Sequence, residues 1–194
     1  METTRQPLIT VVMPNYNGHR FVEQAIDSVL HQTYPNFELL VVDDCSKDDS
    51  LSLIQQKAQS DKRIKVIALE HNAGVANARN VGIKEAKGKF IALLDNDDLW
   101  TEDKLERQLA LANKGADIVY CSYDFIDEQN NPIKKPFIVP QQTNFNKMLA
   151  SSVISCSTSF IKTELMQAHP FNSDFYHEDY VLWMELPGLP DCIR

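Results

Sequence analysis

Apolar positions in the first hundred residues fall into runs of a strand's length, separated by stretches of helical period. Residues 8–13, 37–42, 64–69 and 89–94 are apolar, β-branched runs, the pattern of strands buried on both faces. Between the first two, residues 19–32 place Phe21, Ala25 and Val29 four apart, with Val22, Ile26 and Leu30 alongside. That spacing predicts a helix with one apolar face. Further helices are predicted through Leu51, Ile54 and Ala58, and over 74–86, where Lys87-Gly88 supplies a stop. Strands alternating with helices over short connections predict an α/β fold, a mostly parallel sheet covered on both faces. Ligands of such sheets bind beyond the carboxyl ends of the strands. The loops 14–18, 43–49, 70–73 and 95–100 are therefore expected along one edge.

The pattern changes near residue 115. A helix over 101–113 is followed by a strand over 117–123, and Asn130-Asn131-Pro132 predicts a hairpin turn. Residues 153–161 alternate in part and read as another strand, flanked by short helices over 144–150 and 162–168. No linker, repeat or low-complexity tract interrupts the chain, so one domain is expected across residues 1–194.

Composition narrows the class. With 43% hydrophobic residues the chain can bury a core, which excludes disorder; 6 glycines and 4 cysteines exclude collagen-like and disulfide-scaffold proteins. A net charge of −8 argues against a nucleic-acid partner. No apolar run approaches the ~20 residues of a membrane span, and METTRQP lacks the pattern of a signal peptide. Cys45, Cys121, Cys156 and Cys192 form no C-x-x-C pair and are read as reduced thiols. A cytoplasmic location is expected.

The candidate chemistry sits in the predicted loops. Asp95-Asn96-Asp97-Asp98 follows the apolar run FIALL, and carboxylates held that close raise one another's pKa unless a cation joins them. All-oxygen ligands suit Mg²⁺ or Mn²⁺. The same loop also suits a solvated turn in which Asp98 or Thr101 caps the next helix. Asp43-Asp44 ends the second strand, where a carboxylate accepts from a ribose or base N–H, or builds a turn with Ser46. Arg79 lies on the helix after the third strand, within reach of a phosphate or of a neighbouring acid. His177-Glu178-Asp179 offers a general base or metal ligand, or the acidic first turn of a helix. Where a G-x-G-x-x-G would follow the first strand, Asn15-Tyr16-Asn17-Gly18 stands instead, and neither a P-loop nor a G-x-S-x-G elbow occurs.

In combination, VVMPNYNG, VVDDCSKDDS, NAGVANARNVGIKEAKGKFIALLDNDDLW and HEDYVLW resemble the family 2 glycosyltransferases of GT-A fold, over roughly residues 7–185. The resemblance implies a three-layer sandwich with a nucleotide-sugar half over about 7–100 and an acceptor half over about 101–194. It implies inverting transfer from a nucleotide-diphosphate sugar, with UDP the favoured nucleotide, to a glycan or lipid-linked acceptor in bacterial surface polysaccharide synthesis. Pro14 and Tyr16 would line the base pocket, Asp44 would bind the base edge, and Arg79 would assist at the base or diphosphate. Asn96 joins them as a donor-binding residue. Asp95 and Asp97 form a D-x-D element that holds Mn²⁺ or Mg²⁺, with Asp95 also at the ribose. Asp179 would be the base, with Glu178 beside it as the second catalytic carboxylate. Membrane contact would be peripheral at most, at the inner face of the cytoplasmic membrane. Similar enzymes continue well beyond this acidic pair, whereas this chain stops 15 residues after Asp179, so its C-terminal end is expected to be incomplete. Two rivals remain at this level: a nucleotide-sugar-binding module without catalysis, and a sugar-nucleotide nucleotidyltransferase, whose Gly-rich basic loop PNYNGH lacks.

Overall fold

In the computed structural model, residues 6–186 and the backbone of 192–193 are described; the side chain of Cys192 and most of the tail PGLPDCIR lie outside the described residues. The four early apolar runs form β1 (Ile9–Asn15), β2 (Phe37–Asp43), β3 (Ile64–Ala68) and β4 (Phe90–Leu93). They pair in parallel in the order β3-β2-β1-β4. Beyond β4 the sheet continues with β9 (Phe160–Lys162), β5 (Ile118–Val119), β10 (Cys192–Ile193) and β8 (Gln142–Thr143). Here antiparallel pairs enter, β9 running against both β4 and β5.

Every residue of β1 and β2 is buried, as strands covered on both faces require. Successive side chains alternate between two cores. Ile9, Val11 and Met13 pack with α1 (Val22–Leu30), α2 (Ser50–Ser60) and α4 (Lys104–Ala112) through Val22, Ile26, Ile54 and Leu105. Val12, Ile91 and Leu93 point the other way, to α3 (Val75–Glu85), α6 (Thr163–Ala168) and α7 (Glu178–Glu185), meeting Ile83, Met166 and Trp183. Helix α3 lies so close to β1 and β2 that a Cβ on Gly82 would stand 2.5 Å from Val12 Cγ1 and 3.2 Å from Val42 Cγ2.

Three expectations shift. The first strand runs past Pro14, because the side of β1 that Pro14 faces has already lost its partner: the β4 pairing ends with Leu94 N–H donating to the Val12 carbonyl. A missing N–H there costs no ladder bond. The strand expected over 117–123 divides into β5 and β6 (Tyr123–Ile126), and β6 pairs with β7 (Pro132–Phe137) in a separate hairpin. Its turn falls at Asn130-Asn131-Pro132 as predicted, with Asn130 at φ 65° and Asp127 Oδ1 accepting from the N–H groups of Gln129 and Asn131. The run 153–161 is mostly not a strand. It holds a single 3₁₀ turn, Cys156–Thr158, closed by a reciprocal Ser155–Thr158 cap and by Ser159 Oγ donating to the Cys156 carbonyl. Short polar side chains that bond the local backbone compete with sheet pairing, and here they win.

Gly82→Ala should destabilise the fold by about 1–3 kcal/mol, because overpacking against Val12 outweighs the roughly 1 kcal/mol by which helix propensity favours alanine. Urea denaturation of the two proteins checks this.

Candidate active site

The carboxyl ends of β1, β2 and β4 open onto a cleft of about 420 Å³. Every donor-side residue named from the sequence lines it: Pro14 and Tyr16 from β1 and its loop, Asp44 from the end of β2, Arg79 from α3, and Asp95, Asn96 and Asp97 after β4. The Asn15 amide ties these loops together. Its Nδ2 donates to Asp43 Oδ1 at 2.7 Å and Ser50 Oγ at 3.0 Å, while its Oδ1 accepts from Asn96 Nδ2 at 2.7 Å. Gly18 lies directly over that last bond: a Cβ there would come within 2.2 Å of Asn15 Oδ1 and 2.1 Å of Asn96 Nδ2. Tyr16, by contrast, is 48% exposed at the mouth.

Asp44 is buried, and its two carboxylate oxygens accept from the backbone N–H groups of Ala73 and Gly74, at 2.7 and 2.8 Å. It thereby fixes the loop that leads into α3. Each oxygen keeps a second lone pair for a ligand N–H.

Arg79 is the densest contact of the site. It is buried in the protein, with one guanidinium nitrogen donating to Asp95 Oδ1 and another to Glu178 Oε1, both at 2.7 Å. The Phe171 ring lies 5.3 Å away, and Nε is buried with no hydrogen-bond partner among the described residues. Burial alone would lower the pKa of this group, but the carboxylates of Asp95 and Glu178 outweigh it and raise the value, so the guanidinium is a permanent cation. The ion pair and the cleft position that the sequence left as alternatives are thus both present. Cys156, buried beside the same groups, has its thiol pushed well up by burial and by the carboxylates of Asp95, Asp179 and Glu178; it stays protonated and is no nucleophile.

The acidic loop is held from beneath by a residue that the sequence reading placed in a strand. Ser157 Oγ accepts from Asp95 N–H at 3.0 Å and donates to the Asp98 carboxyl, while its carbonyl accepts from Trp100 Nε1 at 2.8 Å. Loss of hydration, with the like charges of Asp95 and Asp97, raises the Asp98 pKa against that bond. Trp100 in turn rests on the ammonium of Lys104, 3.9 Å from the ring centroid. Burial lowers the pKa of Lys104 to about 8, and Gln108 Oε1 accepts from it at 2.7 Å. The Ser155–Thr158 spacing is the one sequence signal that could have disclosed this turn.

Glu178 opens α7 and reaches the cleft through Arg79. Asp179 stands next to it, Oδ1 accepting from Tyr180 N–H at 2.8 Å, outside the residues that line the cleft.

Residues 10–169 match the model of glycosyl transferase family 2. The chain belongs to that family. It is 40% identical over 181 residues to the Escherichia coli UDP-Glc:alpha-D-GlcNAc-diphosphoundecaprenol beta-1,3-glucosyltransferase WfgD, covering 92% of this chain and 69% of WfgD. S. aureus TarS, solved with UDP, superposes with a TM-score of 0.74 at 25% identity, over 90% of this chain and 53% of TarS; a TarS complex with UDP-GlcNAc matches equally well. The mannosyltransferase PcManGT from Pyrobaculum calidifontis, in complex with GDP-Man and Mn²⁺, shares the fold with a TM-score of 0.74 at 24% identity, over 93% of this chain and 52% of that one. The chain therefore spans about half the length of these solved structures, and its architecture is the GT-A fold.

Ser157→Ala should cost about 1–3 kcal/mol of stability, since it strips the Asp95 N–H and the Asp98 carboxyl of a partner at once. The same change at exposed Ser152 should fall within about 0.5 kcal/mol of neutral, which makes it the control in urea denaturation.

Proposed function

We propose that this domain transfers one sugar from a nucleoside-diphosphate sugar, a UDP-sugar, to the hydroxyl of a glycan or lipid-linked acceptor, inverting the anomeric carbon, as a cytoplasmic step of bacterial surface polysaccharide synthesis. One observation carries the reading: a single cleft collects an exposed aromatic ring, a fixed carboxylate, a buried arginine and two carboxylates two residues apart. These are the groups a base, a ribose and a diphosphate need. Tyr16 offers its ring to the base, Pro14 walls the pocket, and the free lone pairs of Asp44 accept a base N–H. Asn96, held by Asn15, keeps the ribose side of the loop in place. WfgD, named for a UDP-Glc donor and a diphosphoundecaprenol-linked acceptor, is consistent with this substrate class.

The donor set fits a hard divalent cation. Asp97 is exposed at the mouth, and Asp95 keeps one carboxylate oxygen free of Arg79. Among the described residues no group of three or more acids, histidines or cysteines would hold a metal by itself, so diphosphate oxygens must complete the shell. Mn²⁺ or Mg²⁺ bound there would neutralise the charge of the departing nucleotide. Arg79 fixes the orientation of Asp95 whether or not the cation is bound. The acceptor hydroxyl is a weak nucleophile. Asp179 takes its proton as the hydroxyl attacks opposite the leaving nucleotide, a role typically worth 10²–10⁴-fold. Glu178, neutralised by Arg79, is unsuited to that task and holds the first turn of α7 in place.

UDP at about a hundredfold excess over its Kd should stabilise the protein by roughly 3 kcal/mol with Mn²⁺ and by much less with EDTA, read as the shift in Tm. Asp97→Ala should remove most of that difference; equal stabilisation with and without metal would contradict the cation site. With a UDP-sugar and a lipid-linked acceptor, Asp179→Asn should slow transfer by about 10²-fold while UDP affinity holds. Donor binding with no transfer by the parent chain would favour the non-catalytic binding module.

A further inference from the structure

The chemistry proposed above makes no use of Asn80, the residue after Arg79 on α3. Its side-chain amide is matched to the backbone of a single residue. Nδ2 donates to the Phe171 carbonyl and Oδ1 accepts from the Phe171 N–H, both at 2.8 Å. The exchange is reciprocal, and an amide is suited to it: a carboxylate there would lack the donor and set its charge against the carbonyl. The buried Phe171 ring in turn meets two helices. The Arg79 guanidinium of α3 stands over it, 5.3 Å from the centroid, and the Trp183 indole of α7 meets it edge to face, with centroids 6.3 Å apart. Phe171 thus bridges α3 and α7.

That bridge reaches the acidic pair. Trp183 and Asp179 are four apart on α7 and share a face, and Glu178 is bound by the same guanidinium that lies over Phe171. Residues 172–177, which link Phe171 to α7, are exposed, and Asn172 closes their turn locally. Its Oδ1 accepts from the Asp174 N–H at 3.0 Å and its carbonyl from the Phe175 N–H at 3.5 Å. An exposed link bonded to itself does not fix the helix that follows it. The place of α7 is set by side-chain contacts: Arg79 with Glu178, Phe171 with Trp183, and the Tyr180 hydroxyl, which donates to the Met148 carbonyl of α5 (Phe145–Ala150) at 3.1 Å.

We infer that Asn80 is a positioning residue for sugar transfer: by clamping the backbone of Phe171 it holds that ring against Arg79 and Trp183, and so sets the place of Asp179. This rests on the proposed role of Asp179 as the base. Nucleotide binding is independent of the clamp, since Tyr16, Asp44 and Asp97 belong to the ends of β1, β2 and β4 and their loops.

Hydrogen exchange of the whole chain, followed by mass spectrometry, reads the clamp with no ligand present. Asn80→Ala should speed exchange of the α7 amides by about tenfold or more, while β1, β2 and β4 stay within about twofold of the parent. Phe171→Leu keeps the clamped backbone and removes the ring, so it should loosen α7 alike, and the double variant no further. With UDP-glucose and GlcNAc-diphosphoundecaprenol as probes, Asn80→Ala should lower kcat about tenfold at constant donor KM and add nothing to Asp179→Asn. UDP affinity should stay within about twofold in all of these variants. Parental exchange in α7, acceleration spread evenly over the sheet, or transfer by Asn80→Ala at the parental rate would overturn the assignment. The two readings fail separately. A firm α7 in Asn80→Ala removes the clamp alone, whereas a loosened α7 in a chain that transfers no faster than its Asp179→Asn variant removes the base.

Discussion

The guanidinium of Arg79, buried and shared between Asp95 and Glu178, is the constraint on which the site is organised. Asp95 begins the loop after β4 and Glu178 begins α7, so one side chain joins the acidic edge of the sheet to the helix that carries Asp179. A charge so deeply buried is stable only while its partners are present, and removing one partner of a buried pair commonly costs 3–5 kcal/mol. The arrangement therefore fixes geometry more than it adds net stability. It holds a donor-side carboxylate and the first turn of α7 at one spacing.

Everything around that bridge keeps the acidic loop from relaxing away from it. Ser157 binds the loop at Asp95 and Asp98, the Asn15–Asn96 bond closes it against β1, and Gly18 leaves room for that bond. Below, Trp100 packs on the Lys104 ammonium, whose lowered pKa of about 8 records the cost of burying a cation there. Three carboxylates, Asp44, Asp95 and Asp97, and a half-exposed tyrosine thus line the cleft. Preorganisation of this kind is what transfer between two bound substrates needs, because a displacement of even 1 Å can be expensive in rate.

The parallel half of the sheet was legible because period and burial agree: continuous apolar runs mark strands covered on both faces, and β1 and β2 are buried throughout. The cleft residues were legible from loop position at strand ends, with the resemblance supplying their roles. Arg79 was half legible. Its partners lie 16 and 99 residues away in sequence, so no local pattern could decide between an ion pair and a ligand contact, and the structure shows the pair within the cleft. Ser157 was hidden, because VISCSTSF alternates like a strand while its hydroxyls bond the local backbone.

The most direct measurement of the central claim is a double-mutant cycle on unfolding free energy, with Arg79→Gln, Glu178→Gln and the two combined. If the guanidinium binds Glu178 as described, the two single losses should exceed the double loss by about 1–3 kcal/mol, because the second change no longer strands a buried charge. Losses that add to within about 0.5 kcal/mol would show that Arg79 does not hold α7 to the acidic edge, and would contradict this account of the site.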